Sequence, residues 1–360
     1  MSSFKLLAHA LFTLLALLVT RKTFVRHPKW RRTIAGILLT EFAAFLIWIL
    51  FGSDDRLYLS FNNIWVSLAT FIAVDIVLNL CLFLFVRKKW TAYAPWNYLA
   101  AAIATIVLGF AGHQNTVDPK LTEYVVQIPG TSGRDSLDIL WVTDLHIGRL
   151  IGAKEIDRLR EMAIKAKPDY LIFGGDMIHR EISYAETPEV LEAMTRLVTE
   201  TVPEGHVFFI LGNHEYYADT AEKIEWISRF GTLLRDEVTR IDGGICLVGR
   251  DSYHEKEDRK KLRTLLSEVP SGAPTIVLAH EPEERGQKEV YDFPYLALHG
   301  HTHAGQHLLF IPFVYIGSPH IYGRYQIGET THIISSGYGV SASTIRLGTH
   351  SEAVLLRVRY

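Results

Sequence analysis

Two patterns of apolar residues divide the chain. From Phe4 to Ala111 they form four long runs: Phe4 to Val19, Ile34 to Phe51, Ile64 to Val86 and Tyr98 to Ala111. Beyond Leu137 the runs shorten and end in polar clusters, with amphipathic stretches such as Lys154 to Lys167 and Pro188 to Thr201 between them. A helix crosses a bilayer core with about 20 mostly apolar residues, and runs without a polar face do not suit a soluble bundle. The pattern predicts four transmembrane helices at 4–20, 34–51, 64–86 and 95–112, the last reaching crossing length only with Ala94 to Asn97 and Gly112. It predicts a transmembrane region over 1–113, a linker over 114–123 and a second domain over 124–360.

In that second part, short strands alternate with helices, which predicts an α/β layered domain. "LDILWVTDLH" reads as a buried strand ending in Asp144 and His146, and "PDYLIFGGDMIH" as one ending in Asp176. "HVFFILGNHE" ends in Asn213 and His214, "PTIVLAHEP" in His280, and "YLALHGHTH" in His301 and His303. Strand ends of such sheets converge on one site. Alternate residues of an extended segment point to one side, so Asp-x-His and His-x-His are each expected to face a single pocket.

The flanks of the apolar runs order the topology. Arg21, Lys22, Arg26, Lys29, Arg31 and Arg32 lie between the first two runs, and Arg87, Lys88 and Lys89 follow the third. The positive-inside rule places both clusters in the cytoplasm. With four crossings, the N-terminus and everything after His113 then lie on the extracytoplasmic side. Trp30, Tyr58, Trp65, Trp90, Tyr93 and Trp96 fall near the expected interfaces. The first run is not read as a cleaved signal, because basic residues follow it and no small-residue cleavage site does. Glu41, Asp75 and Asn79 are polar positions inside apolar runs, read as interhelical hydrogen-bonding groups, with a transport pathway through Asp75 as a lesser rival.

Composition adds little to this picture. The formal net charge is −2 over 360 residues, so no bulk field points to nucleic acid. Cys81 and Cys246 imply no disulfide framework and read as small buried hydrophobes.

The donors at the strand ends are carboxylate and amide oxygens and imidazole nitrogens, without thiolate. That set suits Mn, Fe, Co or Zn rather than a structural cysteine–zinc site, with Mn favoured. Seven such groups exceed what one ion needs, so two divalent ions sharing a carboxylate is the economical arrangement. Paired ions about 3.5–4 Å apart serve hydrolytic phosphoryl transfer.

The ordered set "DLH", "GGD", "GNHE", "AH" and "GHTH" resembles the calcineurin-like metallophosphoesterase superfamily. "GHTHAGQ", followed by "YGRYQIG" and "SSGYGVSASTIRLG", is similar to its bacterial membrane-associated or exported branch. The resemblance spans roughly residues 124 to 358. It implies an α/β fold of four layers, a sandwich of two mixed sheets flanked by helices. It also implies Asp144, His146 and His303 as ligands of one ion, Asn213, His280 and His301 of the other, and Asp176 bridging both with a water or hydroxide. By the same resemblance His214 protonates the leaving group. Many members carry a second aspartate after "GD"; here "GGDMIHR" has His179 and Arg180, and Arg180 is a candidate for binding substrate phosphate. His299 and His307 are read as non-ligands, and His179, His206, His254, His320, His332 and His350 as surface residues. Glu215 either orients His214 or starts the next turn.

The expectation is a membrane-anchored phosphoesterase with two divalent metals, acting on a phosphate ester or pyrophosphate of a lipid or cell-envelope substrate. A rival is hydrolysis of a nucleotide-linked lipid intermediate at the cytoplasmic face, if the fourth run does not cross. Another is a non-catalytic metal-binding interaction module.

Overall fold

The longest apolar stretches form two helices, α1 (Asp55–Val86) and α2 (Trp90–Val117). The computed structural model describes residues 55–86, 90–253, 259–282, 293–340 and 343–360, with Thr13, Leu14, Leu17 and Arg21. Within α1 and α2, Asn62–Cys81 and Trp96–Val117 are long and apolar enough to cross a membrane. Two helices of this kind, not four, are found among the described residues; the expected helices at 4–20 and 34–51 fall outside them, but for Thr13, Leu14 and Leu17. Both helices begin earlier than the apolar runs did. Once a helix is nucleated, each added residue gains a hydrogen bond whatever its polarity, so Arg56, Asn62 and Asn63 continue it.

Packing separates two units, one made of the residues up to Gln114 with 343–347, the other of the chain from Asn115 onward without that segment. In the first, Phe71 and Tyr98 pack edge to face at 4.9 Å. Asn63 Oδ1 accepts from Ser343 Oγ (2.8 Å) and Thr344 N (2.9 Å), and Gly112 O accepts from Arg346 N (2.9 Å). Asn79 Nδ2 donates to Asp75 Oδ1 at 2.9 Å, one turn away on the same helix. Cys81 is exposed, contrary to its reading as a buried hydrophobe, whereas Cys246 is buried.

Residues 114–123 are no free linker. They hold the last turn of α2 and the first half of β1 (Lys120–Gln127), which pairs in parallel with a C-terminal strand from Lys120↔Glu352 onward. Ladder hydrogen bonds tie down a segment whose composition carries no strong strand pattern.

The second unit continues with β2 (Ser136–Val142), α3 (Ala153–Ala166), β3 (Tyr170–Gly174), α4 (Pro188–Thr201), β4 (Val207–Ile210), α5 (Thr220–Ser228) and β5 (Thr232–Leu233). Then follow β6 (Glu237–Arg240), β7 (Cys246–Gly249), α6 (Leu262–Glu268), β8 (Thr275–Leu278), β9 (Leu296–His299), α7 (Ile311–Gly317), β10 (Gly323–Ile327), β11 (Thr330–Ile334) and β12 (Glu352–Arg359). Two sheets form, in the orders β1-β12-β2-β3-β4-β5 and β10-β11-β9-β8-β7-β6. Both are mixed: β12 runs antiparallel to β2, β10 to β11 and β6 to β7, and the remaining neighbours are parallel.

Strand alternation builds the layers. On β2, Leu140 and Val142 point into a core shared with Ile156, Leu159 and Ala163 of α3 and Val190, Ala193, Met194 and Leu197 of α4. Ile139 and Trp141 point the other way, between the sheets, against Ile276, Leu278, Leu296, Leu298 and Ile333. On the far side, Val248, Val277 and Ala297 pack on Leu262 and Leu265 of α6. Strands buried on both faces read as continuous apolar runs, as the sequence has them. This is the α/β sandwich of two mixed sheets flanked by helices that the resemblance implied.

Candidate metal centre

The expected ligands sit not on the strands but just past their ends. β2 stops at Val142, before Asp144 and His146, and β9 stops at His299, before His301 and His303. Asp144 (φ 55°), His146 (φ 50°), Asp176 (φ 53°), His301 (φ 69°) and His303 (φ 49°) all have left-handed backbone. This corrects the expectation that side chains converge because alternate residues of an extended segment share a face. The chain turns sharply at each of these five instead, at a cost of order 1–3 kcal/mol per strained residue, and Asp and His tolerate that region better than most. The surrounding structure enforces it. Asp144 N donates to Gly175 O (3.0 Å), His146 N to Asp176 O (2.9 Å) and Gly339 N to Asp144 O (2.7 Å). A Cβ on Gly212 would overlap the Asp176 carboxylate, and one on Gly300 would overlap Thr143 and Asp144; glycine is required where these loops touch.

Six of the seven expected ligands are buried: Asp144, His146, Asp176, Asn213, His280 and His303. His301 is exposed and marks the open side. Ligand atoms of Asp144, His146 and His303 lie within 4.8 Å of one another, as do those of Asp144, Asp176 and His280. Asp144 is common to both groups. Asp176 Oδ2 reaches across them, 3.7 Å from His146 Nε2 and 3.2 Å from His280 Nε2. Asn213 Oδ1 and His301 Nδ1 lie 2.8 Å apart, and the Asn213 amide is turned oxygen-inward by donating from Nδ2 to Tyr217 OH (2.7 Å).

The donor set fits divalent metal. His146 Nε2 and His303 Nε2 face each other at 3.1 Å. His280 Nε2 is buried and makes no hydrogen bond despite the nearby carboxylate. Its Nδ1 is 2.8 Å from Gly174 O, which can only accept, so that nitrogen carries a hydrogen and Nε2, once its own proton is displaced, is the atom left for a metal, as in metal-ligating histidines.

Electrostatics follow from burying these carboxylates and imidazoles side by side. Burial pushes the Asp144 carboxyl up, a rise the His280 charge opposes. Burial pushes Asp176 up too, but the His280 and His214 imidazoles outweigh it and hold that carboxyl well below the ordinary range. His280 is itself raised, because Asp176 and Asp144 overcome its burial. His146 is lowered by burial and by the His214 and His303 rings.

His179, expected at the surface, belongs to the site. The loop after β3 folds back through His179 N donating to Ile147 O (3.0 Å). This brings His179 Nδ1 to 3.3 Å from His146 Nδ1 and stacks its ring on His214 at 5.0 Å. Ligand atoms of His146, His179 and His214 lie within 4.8 Å of one another. His214 Nδ1 is 2.5 Å from His179 O, an acceptor only, so Nδ1 holds a hydrogen and Nε2 is the nitrogen that gains or gives the second proton. That Nε2 lies 3.9 Å from Asp176 Oδ2. Arg180 is exposed beside His179.

Glu215, left open by the sequence, braces the loops. Fully buried, it accepts from Gly212 N (2.8 Å), Asp176 N (2.9 Å) and Ile178 N (3.2 Å), joining the segments after β3 and β4. Glu352 does the same for the "SSGYG" segment, accepting from Ser336 N (2.9 Å), Ser335 Oγ (3.1 Å) and Thr122 Oγ1 (2.5 Å). Apart from the Gly212–Glu215 pair, neither role has a spacing signature, because the other partners lie in segments distant along the chain. His299 is buried with Nε2 3.0 Å from His332 Nδ1. His332 is thus in the core, not on the surface as expected: it lies on β11, whose neighbour in the sheet is β9 with His299. His307 is buried against Phe310. His254 lies outside the described residues.

Residues 137–305 match the family model of the calcineurin-like phosphoesterases. An uncharacterized metallophosphoesterase of Helicobacter pylori is 27% identical over 278 residues, covering 76% of this chain and 72% of that one. A transmembrane protein with metallophosphoesterase domain from Bos taurus is 30% identical over 280 residues, 71% of this chain and 61% of that one. An uncharacterized metallophosphoesterase of Aquifex aeolicus is 24% identical over 264 residues, 71% of this chain and 97% of that one.

Proposed function

Because this chain carries a calcineurin-like phosphoesterase domain and is a metal-dependent hydrolase of phosphoric esters, we propose that it works as a membrane-anchored enzyme through the centre at Asp144 and Asp176. The observation that carries this reading is the convergence of Asp144, His146, Asp176, His280 and His303 from four separate loops. In it, Asp144, His146 and His303 would hold one ion, Asn213, His280 and His301 the other, and Asp176 would contribute to both. Two divalent cations bound there would supply an acidified water as nucleophile and neutralise phosphate oxygens as charge shifts.

The protein's own groups do the rest. His214, held through Nδ1 by the His179 carbonyl, keeps Nε2 near Asp176 and protonates the departing oxygen. An imidazole suits that task because one nitrogen can be held by an acceptor while the other carries a transferable proton. Arg180, exposed beside His179, is the side chain assigned to meet a substrate phosphate. Anchoring is supported by the two apolar helices and by the name of the bovine relative; the basic clusters favour a multi-pass chain with this domain on the extracytoplasmic side. Substrates at the bilayer surface, phospholipid or lipid-linked phosphate esters, suit such a tether.

The test is hydrolysis of p-nitrophenyl phosphate and bis(p-nitrophenyl) phosphate by the full chain loaded with Mn²⁺, Fe²⁺ or Zn²⁺, with metal counted by elemental analysis. Metal-dependent turnover and about two ions per chain are expected. Turnover that survives Asp176→Asn combined with His303→Ala would overturn the site assignment.

A further inference from the structure

The turn that carries His303 runs directly into a surface that has no counterpart in the chemistry above. From Phe293 to Gly323 the chain contains no Asp, Glu, Lys or Arg. Within it, Leu308 (56%), Tyr315 (48%) and Ile316 (82%) are exposed, and Phe313 is partly so at 42%. At roughly 100° per residue, Pro312, Phe313, Tyr315 and Ile316 cover the outward arc of α7, while Ile311 and Val314 occupy the inward arc and are half-buried. A helix apolar on every side is normally buried all round, and a contiguous apolar patch on a surface marks an interaction site. α7 is anchored to the metal-binding turn: Gln306 N donates to His303 O (2.8 Å) and Phe310 N to His307 O (2.8 Å). Ile311 packs so close to Gly305 that a side chain there would collide with it.

We infer that the outward face of α7, with Leu308, seats in the surface of the bilayer that the chain's own helices cross. The inference rests on the reading that Trp96–Val117 spans a membrane. From Val117 to Lys120, where β1 begins, is three residues, at most about 10 Å even fully extended, so the bilayer is always within reach of this unit. A protein partner is less suited. The patch has no formal charge to fix an orientation, and four or five side chains fall short of the roughly 20–30 residues per side of a stable protein interface. Leu, Ile and Phe with a Tyr suit the headgroup–acyl boundary, where an amphipathic ring keeps its hydroxyl wet. Seated there, the face presents the His303 turn to phosphate esters lying in the interface rather than free in solution.

The full chain is reconstituted in phosphatidylcholine–phosphatidylglycerol vesicles with nitroxide labels at Ile316→Cys or Tyr315→Cys, in a Cys81→Ala background. Glu204→Cys, in the exposed turn before β4, is the water-facing control. The oxygen-to-nickel-chelate accessibility ratio is expected to be several-fold higher at 315 and 316 than at 204. A chelate accessibility at 316 equal to that at 204 overturns the inference, as does a label shielded from both reagents, which would mean that protein covers the face. Retention after an alkaline wash is measured on the same samples. A chain that washes off overturns the anchoring reading and this inference together, whereas a retained chain with a water-exposed label overturns this inference alone.

Discussion

His146 and His179 meet through their Nδ1 atoms at 3.3 Å, while His146 Nε2 faces Asp144, Asp176 and His303. With His146 donating from Nδ1, the imidazole is locked in the tautomer that offers Nε2 to a cation. Groups that orient a ligating histidine typically change metal affinity or activity about 10–100-fold when removed. His179→Ala is expected to raise the metal concentration for half-maximal activity by that factor. His179→Gln, whose amide oxygen also accepts, is expected to recover part of it. Metal titrations of the two variants decide; equal midpoints in wild type and His179→Ala would remove the orienting role.

A proton donated by His214 matters most when the leaving oxygen is a poor one. His214→Ala is expected to slow an alkyl phosphate ester by roughly 10²–10⁴-fold. A p-nitrophenyl ester, whose leaving group departs without help, should lose far less. The ratio of the two losses is the readout. A uniform loss would point to positioning rather than proton transfer.

Glu215 satisfies three buried backbone N–H groups at once. Glu215→Ala orphans all three and is expected to cost roughly 1–3 kcal/mol or more, seen as a lower thermal midpoint, and to loosen the Asp176 loop so that metal is lost. Burial and the neighbouring Asp176 push this carboxyl up, so Glu215→Gln should be milder than the alanine variant.

Without cations, the Asp176 and Asp144 carboxylates hold a proton on His280. Metal must displace it, so uptake releases protons and apparent affinity rises with pH. Titrating metal into weakly buffered apo-protein near pH 6.5 should acidify the solution; an unchanged pH would count against a protonated His280.

Burial, helped by His299, lowers His332 to about 3, and burial lowers His299 and His307 each to about 4. Each takes up a proton in the unfolded chain near pH 6.5 but in the fold only far lower, so the unfolded state binds more protons across that window. Stability therefore rises with pH from about 4 to 6.5 and is lost on acidification. His332 alone accounts for about 2 kcal/mol at pH 5. The fluorescence-detected melting midpoint of His332→Gln should fall less steeply between pH 6.5 and 5 than that of wild type.

Much of the site is legible in one dimension because ligands of this kind sit immediately past buried strands, and buried strands are short apolar runs. Asp144, Asp176 and His280 could be named that way, and the alternation of strands and helices forecast the layered fold. Local sequence does not carry the backbone hand at each ligand. Asp144 and His146 are left-handed because Gly175, Asp176 and Gly339, remote in the chain, hold them there.

The sequence by itself determined which side chains are available as ligands and where the apolar stretches lie, since both depend on residue type and on neighbours in the chain. Only the tertiary structure decided that His179 turns inward to His146 and that Glu215 and Glu352 brace the loops. It also decided that 343–347 return to the helices and that α7 shows an apolar face outward. Each depends on a hydrogen bond or close contact between segments far apart in the chain, or on an exposure set by how the chain packs, and such pairings leave no periodicity to read.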